Sequence, residues 1–266
     1  MTGSGSLKGR FPFSFGVTSY IYPADIAYNI ERLRDRVDEM ELVLFQGADA
    51  SNLPTPDDVK RFARLSDGSG LRFNVHLPLD IDIASAEAGV RDRSVQTIER
   101  ILDLTHPLSP TSCTLHLPQG PDDSPVEWRK RAHEALQRLP EPRSFFCVET
   151  LQWDLREADD LLRELGLSVC IDVGHLLLFG RDVAEHFRFF SGRVTMVHLH
   201  GVKDGKDHIS LARLPEGDLE RVAQTLATTR YGDSLSLEVF NLDDFESSIE
   251  PFERAFSGRG KGWTTC

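Results

Sequence analysis

Cysteine is scarce. The chain has four in 266 residues, with no CxxC pair and no disulfide-like spacing. Cys113, Cys147 and Cys170 fall inside expected strands and read as buried thiols of a reducing compartment, while Cys266 is the last residue. Long apolar runs are also missing: nothing approaches the ~20 residues of a membrane span, and the start MTGSGSLKGR has no apolar signal core. These absences give the expectation of a soluble, cytoplasmic protein without a membrane partner. Positive charge is short as well, thirty Lys and Arg against forty-two Asp and Glu, for a net charge of −12. A nucleic-acid backbone is repelled on average by such a surface, so no nucleic-acid partner is expected. Neither GxGxxG nor GxxxxGK[ST] follows any expected strand, which leaves a nucleotide-binding doubly wound sheet without its usual support.

What the chain does have is an eightfold alternation. Apolar, β-branched or aromatic runs recur at 13–20, 39–45, 71–77, 112–117, 144–150, 167–173, 194–200 and 234–240, with helical stretches between them. LVLF, FFCV and VTMV are apolar on successive residues, the pattern of parallel strands covered on both faces. Ile26, Ile30, Leu33 and Val37 form one helical stripe, and Val95, Ile98, Ile101 and Leu102 another. Thr55-Pro56-Asp57-Asp58 reads as a helix start and Leu165-Gly166 as a helix stop. A chain of this length with this order predicts a single α/β domain, a (β/α)8 TIM barrel. The expected division is a flexible N-terminus over 1–12, the barrel over 13–256 and a tail over 257–266.

A parallel barrel opens its active site at the C-terminal ends of its strands, and polar residues gather there in NVHL, TLHL, CVET, CIDVGH, MVHLH and SLEV. Glu149, Asp172, His198 and Glu238 end four consecutive expected strands, so each can offer one donor to a common divalent cation. His76 and His116, in matching strand-end positions, are further candidate ligands, and so are His175, three residues after Asp172, and His208, in the loop KDGKDHISL. His200 shares a face with His198 and can stack or hydrogen-bond beside it. Other readings stay open: an ion pair with Arg or Lys for the glutamates, a turn cap for Asp172, core packing for His76 and His116, orientation of a ligand for His175, and a solvated loop position for His208. Lys203 and Lys206 could meet a substrate phosphate or be ordinary solvated lysines, and Tyr20 and Tyr22 could wall a large ligand or pack as a lid. Mixed nitrogen and oxygen donors suit zinc best, with manganese or iron as alternatives, and one to two ions are expected.

At these residues the chain resembles the xylose isomerase-like barrel superfamily, which includes AP endonuclease family 2 and many sugar isomerases and epimerases. The resemblance spans about residues 13–256, on VET, IDVGH, VHLHG and LEVF. It implies a divalent metal on Glu149, Asp172, His198 and Glu238, and its nuclease branch would add metals through His76, His116, His175 and His208. Where that branch has an aspartate two residues before its loop histidine, this chain has Lys206, with Asp207 adjacent. This departure and the negative charge argue against abasic-site DNA repair. More narrowly, GVTSYIYPADI, ELVLFQ, SNLPTP and FNVHLPLDI look like the cobamide-remodelling phosphodiesterases of the superfamily, although Gln46 replaces the acid of their strand-two motif.

The leading expectation is therefore a metal-dependent hydrolase that cleaves the phosphodiester of a cobamide, with a second cation on His76, His116 and a bridging Glu149. The alternative is a metal-dependent isomerase or epimerase of a sugar or sugar phosphate, in which Glu149 and Glu238 pass a proton between carbons. A third possibility is a ligand-binding barrel without catalysis. On the first two readings Glu149, Glu238 and His200 are the catalytic candidates, and Tyr20, Tyr22, Gln46, Lys203 and Lys206 the substrate-binding ones. The partner is a small molecule in either case.

Overall fold

The computed structural model describes residues 5–46, 51–120, 123–215 and 217–257. Eight parallel strands close on themselves: β1 (Ser14–Thr18), β2 (Glu39–Val43), β3 (Arg72–His76), β4 (Cys113–Leu115), β5 (Phe146–Glu149), β6 (Ser168–Asp172), β7 (Val194–Leu199) and, after a two-stranded excursion, β10 (Ser234–Leu237). The circle closes where β1 pairs with β10 through Val17 and Leu237. Each of the eight expected runs contains one of these strands. The excursion is an antiparallel hairpin, β8 (Gly201–Lys203) and β9 (Lys206–Ile209), where the sequence suggested only a loop.

Helix signals are realised as read. Thr55 and Asp58 form a reciprocal capping box before the helix Pro56–Ser66, with Pro56 at its first position. Ile26, Ile30 and Leu33 are buried on the helix Ile26–Leu33, with Val37 buried beyond its end, and Val95, Ile98 and Ile101 are buried on the helix Ala88–Thr105, where Leu102 is only partly so. Residues 5–12 lie against the same scaffold, with Leu7 only 2 % exposed, so the stretch expected to be flexible is anchored from Leu7 onward. The expected tail lies outside the described residues from position 258, Cys266 included.

Strand alternation sends two different chemistries to the two faces of the barrel wall. Phe15, Val17, Met40, Leu42, Phe73, Val75, Val148, Ile171, Val197 and Leu235 belong to the large buried apolar cluster that packs under the helices. Phe15 shows the outward direction directly, its ring centroid 4.9 Å from that of Phe252 on the helix Leu242–Ser257. The alternate positions carry Glu39, Glu41, Asn74, His76, Thr114, Glu149, Asp172, His198 and Ser236, all buried. The strands are covered on both faces, as expected of a parallel barrel. Their inner row mixes these polar groups with a small cluster of Cys147, Cys170 and Met196.

Candidate active site

At the C-terminal mouth the inner row becomes a mesh of carboxylates and imidazoles. Glu149, at the end of β5, accepts from His116 Nε2 at 2.9 Å and His76 Nε2 at 3.2 Å through one oxygen, while its other oxygen lies 3.3 Å from His175 Nδ1. Asp172 caps the helix Val173–Leu178 by accepting the His175 amide at 2.7 Å. It is also contacted by His200 Nε2 at 3.1 Å and His175 Nδ1 at 3.2 Å, so the turn-cap and cluster readings hold together. His198 Nδ1 stands 3.2 Å from Glu238 Oε2 and 3.7 Å from Glu149 Oε2. The hairpin brings His208 over the mouth, its Nε2 3.4 Å from Glu238 and its ring stacked on His200 with centroids 4.1 Å apart.

Donor atoms of Glu149, Asp172, His198 and Glu238 all lie within 4.8 Å of one another, and those residues are buried. Neither His198 Nδ1 nor Glu238 Oε2 has a hydrogen-bond partner among the described residues, although both are shut away from solvent. Two buried ligand atoms 3.2 Å apart with no hydrogen bond between them suit a shared cation, because a polar atom buried without a partner is costly. Other sets with the same mutual reach are His76, His116 and Glu149, and Asp172, His175, His200 and His208. The residues present thus fit a divalent cation.

The electrostatics agree. Burial alone would suppress imidazolium at His76, but the hydrogen bond and charge of Glu149 outweigh it and push the group up to about 9. His175 and His208 are likewise desolvated yet raised to about 9, by Glu149 and Asp172 at the first and by Glu238 at the second. His198 is raised well above its usual value despite complete burial; Cys170 beside it stays a neutral thiol, so the carboxylates of Glu41, Glu238 and Glu149 carry the effect. Glu149 and Glu238 are held well below the carboxylate range, burial being overcome by His116 and His198 at the first and by His198 at the second. The site asks for positive charge.

Of the residues expected to touch substrate, none is drawn into this mesh by its observed contacts. The Tyr20 hydroxyl accepts from Asn52 at 2.6 Å, Tyr22 meets Tyr28 edge-on under Arg32, and the Gln46 carbonyl accepts from Arg100. Lys203 and Lys206 are exposed and paired across the hairpin turn. A cavity of about 660 Å³ lined by Val126, Arg129 and Asp160 lies on the helical flank, so cavity size does not mark the cluster. Sequence reading missed Glu41, which is fully buried in the middle of β2 and accepts from His198 Nε2 at 2.9 Å. Its signal was a pair of acids two apart, Glu39 and Glu41, inside an otherwise apolar run.

Comparison with known proteins follows this geometry. An L-ribulose 3-epimerase of Mesorhizobium japonicum is 25 % identical over 257 residues, covering 88 % of this chain and 84 % of that protein. A probable endonuclease 4 of Mycobacterium leprae is 26 % identical over 171 residues, 57 % of this chain and 66 % of that one. Among solved structures, a D-tagatose 3-epimerase-like protein superposes with a TM-score of 0.77 at 20 % identity, covering 95 % of this chain and all of that one. An L-ribulose 3-epimerase structure gives 0.71 at 18 % identity, with 94 % and 96 % covered. The curated relative that matches most of the chain is a sugar epimerase, and sugar epimerases share the fold. The expectation of cobamide phosphodiester hydrolysis is corrected accordingly. Residues 36–256 match the family described as xylose isomerase-like TIM barrel, and the chain belongs to it.

Proposed function

We propose that this protein is a metal-dependent sugar epimerase that inverts a carbon next to the carbonyl of a ketose. The observation that carries the reading is the pair of buried glutamates, Glu149 and Glu238, whose oxygens both approach His198 Nδ1 and lie within reach of one cation. Glu149, Asp172, His198 and Glu238 are the residues that would hold it. A divalent cation there supplies polarisation of the ketose carbonyl and neighbouring hydroxyl oxygens, which acidifies the intervening C–H bond. Manganese, iron and zinc all suit this donor set.

One glutamate takes the proton as the C–H bond breaks and the electron pair moves toward the carbonyl oxygen. The other enters the turnover as the neutral acid and gives its proton to the opposite face of that carbon, and the carbonyl re-forms with inverted configuration. The chemistry needs no added oxidant or reductant, and the protonation states of the two carboxylates simply exchange. His175 and His208, partly exposed at the mouth, are placed to hydrogen-bond sugar hydroxyls. The relatives' names point to carbon 3 as the inverted centre.

Cation-loaded protein incubated with ketopentoses and ketohexoses in D2O tests this directly. Deuterium should enter at carbon 3 together with the epimeric sugar, and Glu149→Gln or Glu238→Gln should slow both by at least about 100-fold. If no ketose of either length exchanges its proton, the reading fails.

A further inference from the structure

Glu41 lies outside the proposed cation set, yet it makes a bond that crosses the barrel. In the closed order of strands β2 neighbours β1 and β3, and β7 neighbours β10 and β6, so the 2.9 Å contact between Glu41 Oε1 and His198 Nε2 spans the lumen. Both side chains are 0 % exposed. No water competes for either.

We propose that Glu41 is a positioning residue that fixes which nitrogen of His198 is available to a divalent cation. A carboxylate oxygen can only accept, so Nε2 of His198 keeps its proton in either charge state of the ring, and Nδ1, the nitrogen that sheds its proton when a cation binds, faces Glu149 and Glu238. That is the atom found without a partner. The same bond sets the rotation of the ring, since it holds Nε2 toward Glu41 while Nδ1 faces Glu149 and Glu238. A carboxylate behind a ligating imidazole also raises its basicity, which strengthens the bond on the far side. Glu39, the other buried acid of β2, makes no such contribution. It is occupied one layer deeper by Ser234 at 2.5 Å and by Thr111.

This inference rests on the cation reading of the site but not on epimerisation, so it is tested on metal binding alone. Metal-free full-length protein is titrated with Mn²⁺ by calorimetry. Glu41→Ala should weaken binding about 10- to 100-fold. Glu41→Gln, whose amide oxygen still accepts from Nε2, should weaken it less than about tenfold, and Glu39→Gln should leave it unchanged. Unaltered affinity in Glu41→Ala, or a loss in Glu39→Gln as large as that in Glu41→Ala, overturns the proposal. A second readout does not depend on how Glu41→Ala folds. In Zn²⁺-loaded wild-type protein, ¹⁵N spectra should show His198 protonated at Nε2 and bound through Nδ1, with the Nε2 proton far downfield and moved upfield in Glu41→Gln. Binding through Nε2 overturns it. A wild-type protein that binds Mn²⁺ with this tautomer yet epimerises no ketose would sink the proposed function and leave the role of Glu41 standing.

Discussion

His200 is held from both sides by hydrogen bonds that fix the place of its ring. Its Nδ1 accepts the backbone N–H of His208 at 3.0 Å and lies 3.2 Å from the Gly201 carbonyl, while Nε2 donates to Asp172. The ring fits because residue 174 is glycine: a Cβ there would fall 2.0 Å from His200 Cε1. Gly174 lies in the helix Val173–Leu178, where alanine normally stabilises by up to about 1 kcal/mol. The sign therefore tells which effect rules. Gly174→Ala should lower unfolding stability in urea by about 1–3 kcal/mol, the usual cost of overpacking, and should deprotect the His208 amide to hydrogen exchange. A variant as stable as wild type would show that the ring has room to move.

At the scale of elements, the hairpin β8–β9 is the piece that closes the mouth, and its turn is built for tightness. Asp204 and Gly205 both have positive φ, 53° and 75°, the pattern of a type I′ turn. Gly205→Ala should cost about 1 kcal/mol in the hairpin, raising exchange of its amides roughly fivefold while global unfolding stays unchanged, because the barrel strands pair without it. Exchange no faster than in wild type would mean that the turn tolerates a side chain. The Asp-Gly pair was a legible hairpin signal, yet KDGKDHI lacks apolar alternation and reads as a loop. Eight barrel strands were legible because each has an apolar outer face, and NVHL, CVET and CIDVGH marked their ends. Glu41 was not, because its meaning depends on which residue faces it across the lumen. His198 is 157 positions away, and no local pattern encodes that partner.

For the whole molecule, the polar inner row makes the barrel a container whose charge balance depends on pH. His76, His175 and His208 have folded values near 9 against about 6.5 when unfolded, so their stabilising contribution is complete below pH 6.5 and fades as pH rises to 9. Glu149 and Glu238 are lowered from 4.5, so their contribution holds above that value and is lost as pH falls through the depressed folded range. Chelated protein should therefore be most stable between about pH 4.5 and 6.5, and its melting temperature should fall steadily from 6.5 to 9. A bound cation supplies positive charge without a titrating proton. Loaded protein should keep its melting temperature over the same interval, and cation affinity should rise with pH as the imidazoles lose their protons. Melting curves at pH 5.5, 7 and 9, with and without Mn²⁺, decide the matter. A chelated protein whose stability is flat from pH 6.5 to 9 would mean that these histidines are neutral in the folded state and that the carboxylates find their balancing charge elsewhere.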